Sequence, residues 1–160
     1  MNEISTRRCG IVAILGAPNA GKSTLTNALV GQKVAIVSPK AQTTRARLMG
    51  IAIDGDTQML LVDTPGIFTP NRRLDRAMVK AAWEGAEDAD RVVLVIDAAA
   101  KVGPRVEQVI EGVEARTEPK ILVLNKVDIA DKGQLLTIAQ RLAERLKPEQ
   151  IFRECRSGSI

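Results

Sequence analysis

Gly16, Ala17, Pro18, Asn19, Ala20, Gly21, Lys22 and Ser23 make a glycine-bounded loop that closes on a lysine and a hydroxyl. This spacing suits phosphate chemistry. The loop follows the apolar run 10–15 and precedes the helical stretch 23–30, stopped by Gly31. Backbone N–H groups and the positive end of a helix dipole then converge on one point. Glycine at both ends lets backbone approach phosphate oxygens where a Cβ would collide. Lys22 can reach the β- and γ-phosphates, and the Ser23 hydroxyl, with Thr24 beside it, can ligate Mg²⁺.

Two further constellations carry the same chemistry. Asp63, Thr64, Pro65 and Gly66 end an apolar strand. The Asp63 carboxylate can hold Mg²⁺ through water, and the bare backbone N–H of Gly66 can approach a γ-phosphate. Asn125, Lys126, Val127 and Asp128 end another. Guanine offers its N1–H and exocyclic amine together, and one carboxylate can accept both; Asp128 supplies that fork. Asn125 braces the phosphate loop or meets the other edge of the base, and the alkyl stem of Lys126 can lie over the purine ring. Adenine presents no such donor pair.

The elements that must position these groups are legible in the patterning. Strands are expected at 10–15, 46–53, 58–62, 91–96 and 120–124, the last two as runs of valine, leucine and isoleucine buried on both faces. Asp54-Gly55-Asp56 signals a hairpin. Helices are expected at 23–30, 74–86, 102–116 and 133–146; in the last, Leu135, Leu136, Ile138, Ala139, Leu142, Ala143 and Leu146 give a broad apolar stripe. Strands alternating with helices give a mostly parallel sheet, in which only the second strand need run antiparallel. Ligands in such sheets sit at the carboxyl ends of the strands. All three constellations fall there.

Composition narrows the chemistry. With 160 residues, 45% hydrophobic and 26% charged, the chain fits one globular domain. The absence of histidine excludes a Ser-His-Asp triad and histidine-ligated zinc. Cys9 and Cys155 show neither metal-ligand spacing nor a disulfide framework, which points to a reducing cytoplasm. Two phenylalanines, one tryptophan and no tyrosine make no stacking platform for single-stranded bases. Arg7-Arg8 and the following apolar run imitate a secretory leader, but cleavage there would destroy the phosphate loop. The net charge of +4 is mild, and a nucleotide site accounts for part of it.

Over residues 8–150 the chain resembles the translation-factor-like GTPases, and within them the Era family of bacterial ribosome-assembly GTPases. The motifs that carry the likeness are 16–23, 42–46, 63–66 and 125–128. Ser38-Pro39-Lys40-Ala41-Gln42-Thr43-Thr44-Arg45, followed by Ala46 and not by aspartate, sets it apart from two related groups. The resemblance implies an α/β P-loop NTPase fold: a six-stranded, mostly parallel sheet with one antiparallel strand and helices on both faces. It implies that a switch threonine, Thr44 with Thr43 as fallback, closes over Mg²⁺ and the γ-phosphate. Lys22, Thr44, Gly66 and Asn19 are then the catalytic set; Ser23, Thr44 and Asp63 are the metal set. Asn19 occupies the position some relatives use to hold K⁺. Ile67 stands where many GTPases carry a water-orienting glutamine, so turnover is expected on the order of minutes or longer per GTP. Arg72, Arg73 and Arg76 fit a solvated face better than a nucleotide-dependent contact.

The implied partners are guanine nucleotide, the small ribosomal subunit with its 16S rRNA, and the inner face of the plasma membrane as a peripheral contact of a cytoplasmic monomer. The G-type domain is expected over 1–152. Residues 153–160 read as an atypical tail, because a fifth motif near 155–157 is replaced by Cys155-Arg156-Ser157. The family's last helix and its KH-type RNA-binding domain are expected to be missing from this sequence. Without that helix, the strand flank at Ile11, Ala13 and Leu15 is expected to lie exposed. Two competing readings are a non-catalytic nucleotide-binding fragment and a GTPase of the same group with another partner.

Overall fold

The fold follows from two apolar runs that cannot face water on either side. In Val92–Ile96 and Leu122–Leu124 every residue is buried, so each strand needs cover above and below. The computed structural model describes residues 7–17, 19–30, 47–63 and 89–154. Its strands are β1 (Arg8–Leu15), β2 (Arg47–Asp54), β3 (Thr57–Asp63), β4 (Arg91–Asp97), β5 (Lys120–Asn125) and β6 (Gln150–Arg153). Its helices are α1 (Lys22–Leu29), α2 (Pro104–Glu114) and α3 (Lys132–Leu146). The strands form one six-stranded sheet in the order β2-β3-β1-β4-β5-β6. β1 runs parallel to β3 and β4, β4 to β5, and β5 to β6; β2 alone is antiparallel, folded back on β3 through Gly55-Asp56.

Register divides the sheet into two faces. Leu15, Val92, Leu94, Ile96, Leu122 and Leu124 share one face, packed against Val109, Ile110 and Val113 of α2 and Ile138, Leu142 and Leu146 of α3. Ile14, Leu61, Val93, Val95 and Val123 point to the other, where Ala20, Leu25 and Val30 cover them from the α1 side. Helices thus lie on both faces, as the right-handed crossovers require. α2 begins with Pro104 at its first turn, where a missing N–H costs nothing. α3 is capped by Asp131, whose carboxylate accepts from the Gln134 N–H at 2.9 Å.

Two expectations are corrected. Leu136 does not join the α3 stripe and is 62% exposed, because two residues from Ile138 is more than half a turn around the helix. The flank at Ile11, Ala13 and Leu15 is buried, not exposed. Ile11 and Ala13 pack with Ile51, Leu60, Val62 and Ala89. The thinner cover lies on the opposite face, where Val12, Met59 and Ile121 are half-buried and Phe152 is 45% exposed. The expected helix at 74–86 lies outside the described residues, as do positions 33–44 and 67–73. No helix among the described residues is long and apolar enough to cross a membrane.

Charges bolt α2 to α3. The Glu107 carboxylate accepts from Arg141 Nη2 at 3.0 Å and also from Arg145, whose other nitrogen reaches Glu114 at 2.8 Å. The Arg145 hydrogen bond, with the positive charges of Arg145 and Arg141, holds Glu107 below its ordinary value of 4.5 despite some desolvation. A depressed carboxylate stabilises the fold above its unfolded pKa, and that stability disappears as pH falls through the folded one. Such surface networks contribute about 0.2–1 kcal/mol per pair. Glu107→Gln should therefore lower the urea midpoint slightly at pH 7, with the gap from wild type closing below the ordinary carboxylate range. Urea melts at pH 7 and pH 3 check this, and an unchanged gap at pH 3 would contradict it.

Candidate nucleotide site

β1 ends inside the sheet, and the chain must leave it in a tight loop. A Cβ on Gly16 would lie 2.7 Å from the Val95 carbonyl oxygen, so only glycine fits that exit. The backbone is left-handed at Asn19 (φ 64°) and Gly21 (φ 104°), which curls the loop so that α1 can start at Lys22. The first turn of α1 has no side-chain cap and no acidic residue, so no carboxylate there would repel an anion from the positive end of the helix. Lys22 Nζ donates to the Gly16 carbonyl at 2.9 Å, spanning the loop from its far end. Ser23 and Thr24 are exposed at the helix start, while buried Thr26 donates to the Lys22 carbonyl at 2.8 Å. Asp63 ends β3 in register with Ile14 of β1, two residues before the loop opens.

The second constellation lies at the end of β5. Asn125 is nine-tenths buried, and its Nδ2 donates 3.0 Å to the carbonyl of Ala20, 105 residues away in sequence. The sequence left Asn125 two roles; here its amide braces the phosphate loop. A Cβ on Gly21 would fall 1.9 Å from that same nitrogen, so this glycine answers to Asn125 as well as to its φ. Lys126, also left-handed (φ 60°), reaches back to donate 2.9 Å to the Asn19 carbonyl. Asp128 follows in an exposed turn. The Val127 N–H donates to the Glu154 carbonyl at 3.1 Å, so the end of β6 supports this turn.

The structure thus gathers Gly16, Ala17, Asn19, Ala20, Gly21, Lys22, Ser23, Thr24, Asn125, Lys126 and Asp128 at one edge of the sheet, with the end of β3 beside them. Pro18, Thr43, Thr44, Thr64, Pro65, Gly66, Ile67, Arg72, Arg73 and Arg76 lie outside the described residues, as does the side chain of Asp63. One participant escaped the sequence reading. Asp97, at the end of β4, accepts 2.6 Å from Lys126 Nζ. Its signal was available: an acid closing an apolar strand, the same pattern that singled out Asp63.

Residues 11–126 match the family model described as 50S ribosome-binding GTPase. The chain belongs to this family. It is 60% identical over 149 residues to GTPase Era of Erythrobacter litoralis (strain HTCC2594), a match covering 91% of this chain and 49% of that protein. GTPase Era of Afipia carboxidovorans is 56% identical over 145 residues, covering 91% and 47%. Among solved structures, Aquifex aeolicus Era bound to GDP·AlF₄⁻ is similar at 38% identity with a TM-score of 0.71, covering 91% of this chain and 50% of that one. Era in complex with MgGDPNP and nucleotides 1506–1542 of 16S ribosomal RNA matches at 37% identity with a TM-score of 0.72, with the same coverage. The chain spans about half the length of the curated relatives it matches. The P-loop α/β fold and the likeness to Era expected from the motifs both hold.

Gly21→Ala tests how the loop is braced. It forces a Cβ into Asn125 and a side chain into left-handed backbone, at a cost of about 1–2 kcal/mol from backbone strain alone. Asn125→Ala loses the hydrogen bond but meets no clash. Thermal melts should show both variants below wild type. In the double variant the second substitution should cost less than it does alone, because the clashing amide is gone. Simple additivity would mean that Gly21 and Asn125 do not meet.

Proposed function

We propose that this chain binds guanine nucleotides and hydrolyses GTP slowly, as the nucleotide switch of a protein acting in small ribosomal subunit assembly. The observation that carries the reading is the buried Asn125 amide on the Ala20 carbonyl, which joins a base-reading motif to a phosphate-binding loop. Asp128 takes the paired donors of guanine, and Lys22 meets the β- and γ-phosphates together with the N–H groups of 16–24. Ser23, Thr44 and Asp63 offer oxygen donors, the set a hard cation such as Mg²⁺ prefers. Bound Mg²⁺ would neutralise charge on the β- and γ-oxygens. The N–H of Gly66 would stand against the γ-phosphate, and the family resemblance counts Pro18, Thr64 and Pro65 among the nucleotide-binding residues. Positioning and fixed charge then account for most of the catalysis.

The small-subunit assignment is supported by the similarity to an Era solved with 16S rRNA nucleotides. The family resemblance further supports a cytoplasmic monomer with a peripheral contact to the inner face of the plasma membrane. It also supports K⁺ at Asn19. Asn19 is exposed beside Lys22, with its backbone already committed to Lys126. A cation there would place positive charge on the phosphate side of the loop.

Asp128→Asn should exchange guanine for xanthine preference, because an amide can donate to the xanthine O2 that a carboxylate repels. Competition of labelled GDP by GDP and XDP reads this out, and an unchanged GDP preference would refute the base assignment. If Asn19 ligates K⁺, single-turnover GTP hydrolysis runs faster in KCl than in NaCl at equal ionic strength. Asn19→Ala should abolish that difference while GDP binding persists. Binding with no measurable hydrolysis in either salt would favour the passive fragment instead.

A further inference from the structure

Asp97 has no place in the binding roles above, yet it sits at the meeting point of three strand ends. It closes β4 directly in register with Asn125 of β5. One carboxylate oxygen accepts from the Ala99 and Ala100 N–H groups, at 3.0 and 3.2 Å, which fixes the carboxylate against its own backbone. The other oxygen, Oδ2, holds Lys126 Nζ at 2.6 Å, and that ammonium donates onward to the Asn19 carbonyl at 2.9 Å. Both side chains of the pair are more than three-quarters buried, so solvent screens the pair less than an exposed one. The two residues joined through the ammonium, Asn19 and Lys126, are both non-glycines in left-handed backbone. Such strain persists only where surrounding contacts enforce it, and it gathers at ligand sites.

Building on the guanine-nucleotide reading, we propose that Asp97 is a positioning residue for nucleotide retention. It anchors the Lys126 ammonium on the phosphate loop, so that the alkyl stem forms a fixed wall of the base pocket before nucleotide arrives. Asp97 touches no nucleotide itself; it acts through Lys126. The alternative is that Asp97 merely caps the loop after β4, a role carried by the oxygen that faces Ala99 and Ala100.

A double-mutant cycle on the full 160-residue chain separates the two. Asp97→Asn keeps an oxygen for the Ala99 and Ala100 N–H groups but replaces the carboxylate that holds Lys126. Release of mant-GDP, chased with excess GDP at fixed Mg²⁺, should accelerate about tenfold or more in this variant, the scale of one charge-assisted hydrogen bond. Lys126→Met should accelerate release by itself, and adding Asp97→Asn to it should change the rate less than about twofold, since coupled residues are non-additive. Melting of the nucleotide-free proteins reports the loop cap separately. If Asp97→Asn does not fold, Asp97→Ser retains a short acceptor for the Ala99 N–H and enters the same cycle. An unchanged release rate, or an equal acceleration with and without Lys126, would overturn the proposal. Failure of the wild-type chain to bind mant-GDP would overturn the nucleotide reading itself, and the proposal with it.

Discussion

A buried side-chain amide must find partners, and the rest of the site is arranged around one that does. Leaving a polar group such as the Asn125 amide unpaired inside the protein costs about 1–3 kcal/mol. Its partner, the Ala20 carbonyl, belongs to a loop between a strand and a helix, where neither ladder nor helix supplies a donor. Each group therefore satisfies the other. The bond fixes the height of the phosphate loop over β5, and everything nearby answers to it. Gly21 must lack a Cβ, Lys126 can reach Asn19, and Asp97 can reach Lys126.

The parallel sheet makes this meeting possible. Strands β1, β3, β4 and β5 all point the same way, so the residues following each of them emerge at one edge. Motifs separated by about a hundred positions then lie within hydrogen-bond reach without any long connection folding over the top. The same edge collects cations whose nitrogens are held by backbone carbonyls, Lys22 on Gly16 and Lys126 on Asn19. Both are fixed by the fold itself, which lowers the ordering cost of meeting an anionic ligand. Asp97 pairs the second of these charges.

Cover over the sheet is uneven. α2 and α3 seal one face, with Val109, Ile110, Val113 and Leu142 almost fully buried against it. On the other face α1 buries only Thr26 completely, and the apolar strip from Met59 and Val12 across Ile121 to Phe152 remains partly open. The division follows from the alternation of side chains along a strand. In β6, Ile151 and Phe152 point to opposite faces, and both are exposed at this edge of the sheet.

Much of the fold was written locally. Unbroken valine, leucine and isoleucine runs fit central strands, the Asp54-Gly55-Asp56 turn fits a hairpin, and a glycine loop between strand and helix has the backbone that a phosphate cradle needs. Asp128 could be matched to guanine by counting donors and acceptors. The choice between the two roles open to Asn125 could not be made that way, because it depends on which carbonyl lies above β5. Periodicity counted Leu136 in the apolar stripe, since a pattern records spacing and not which neighbour fills the space; Ile11 was expected on an exposed flank by analogy with the family's last helix, and the packing buries it. Asp97 was legible as an acid at a strand end, but its partner Lys126 is 29 positions away. Sequence by itself placed most of the described elements, though not β6, and set the chemistry each motif could offer. Tertiary structure decided which polar groups meet, because hydrogen bonds reach about 3 Å and only the packed sheet brings distant strand ends within that distance.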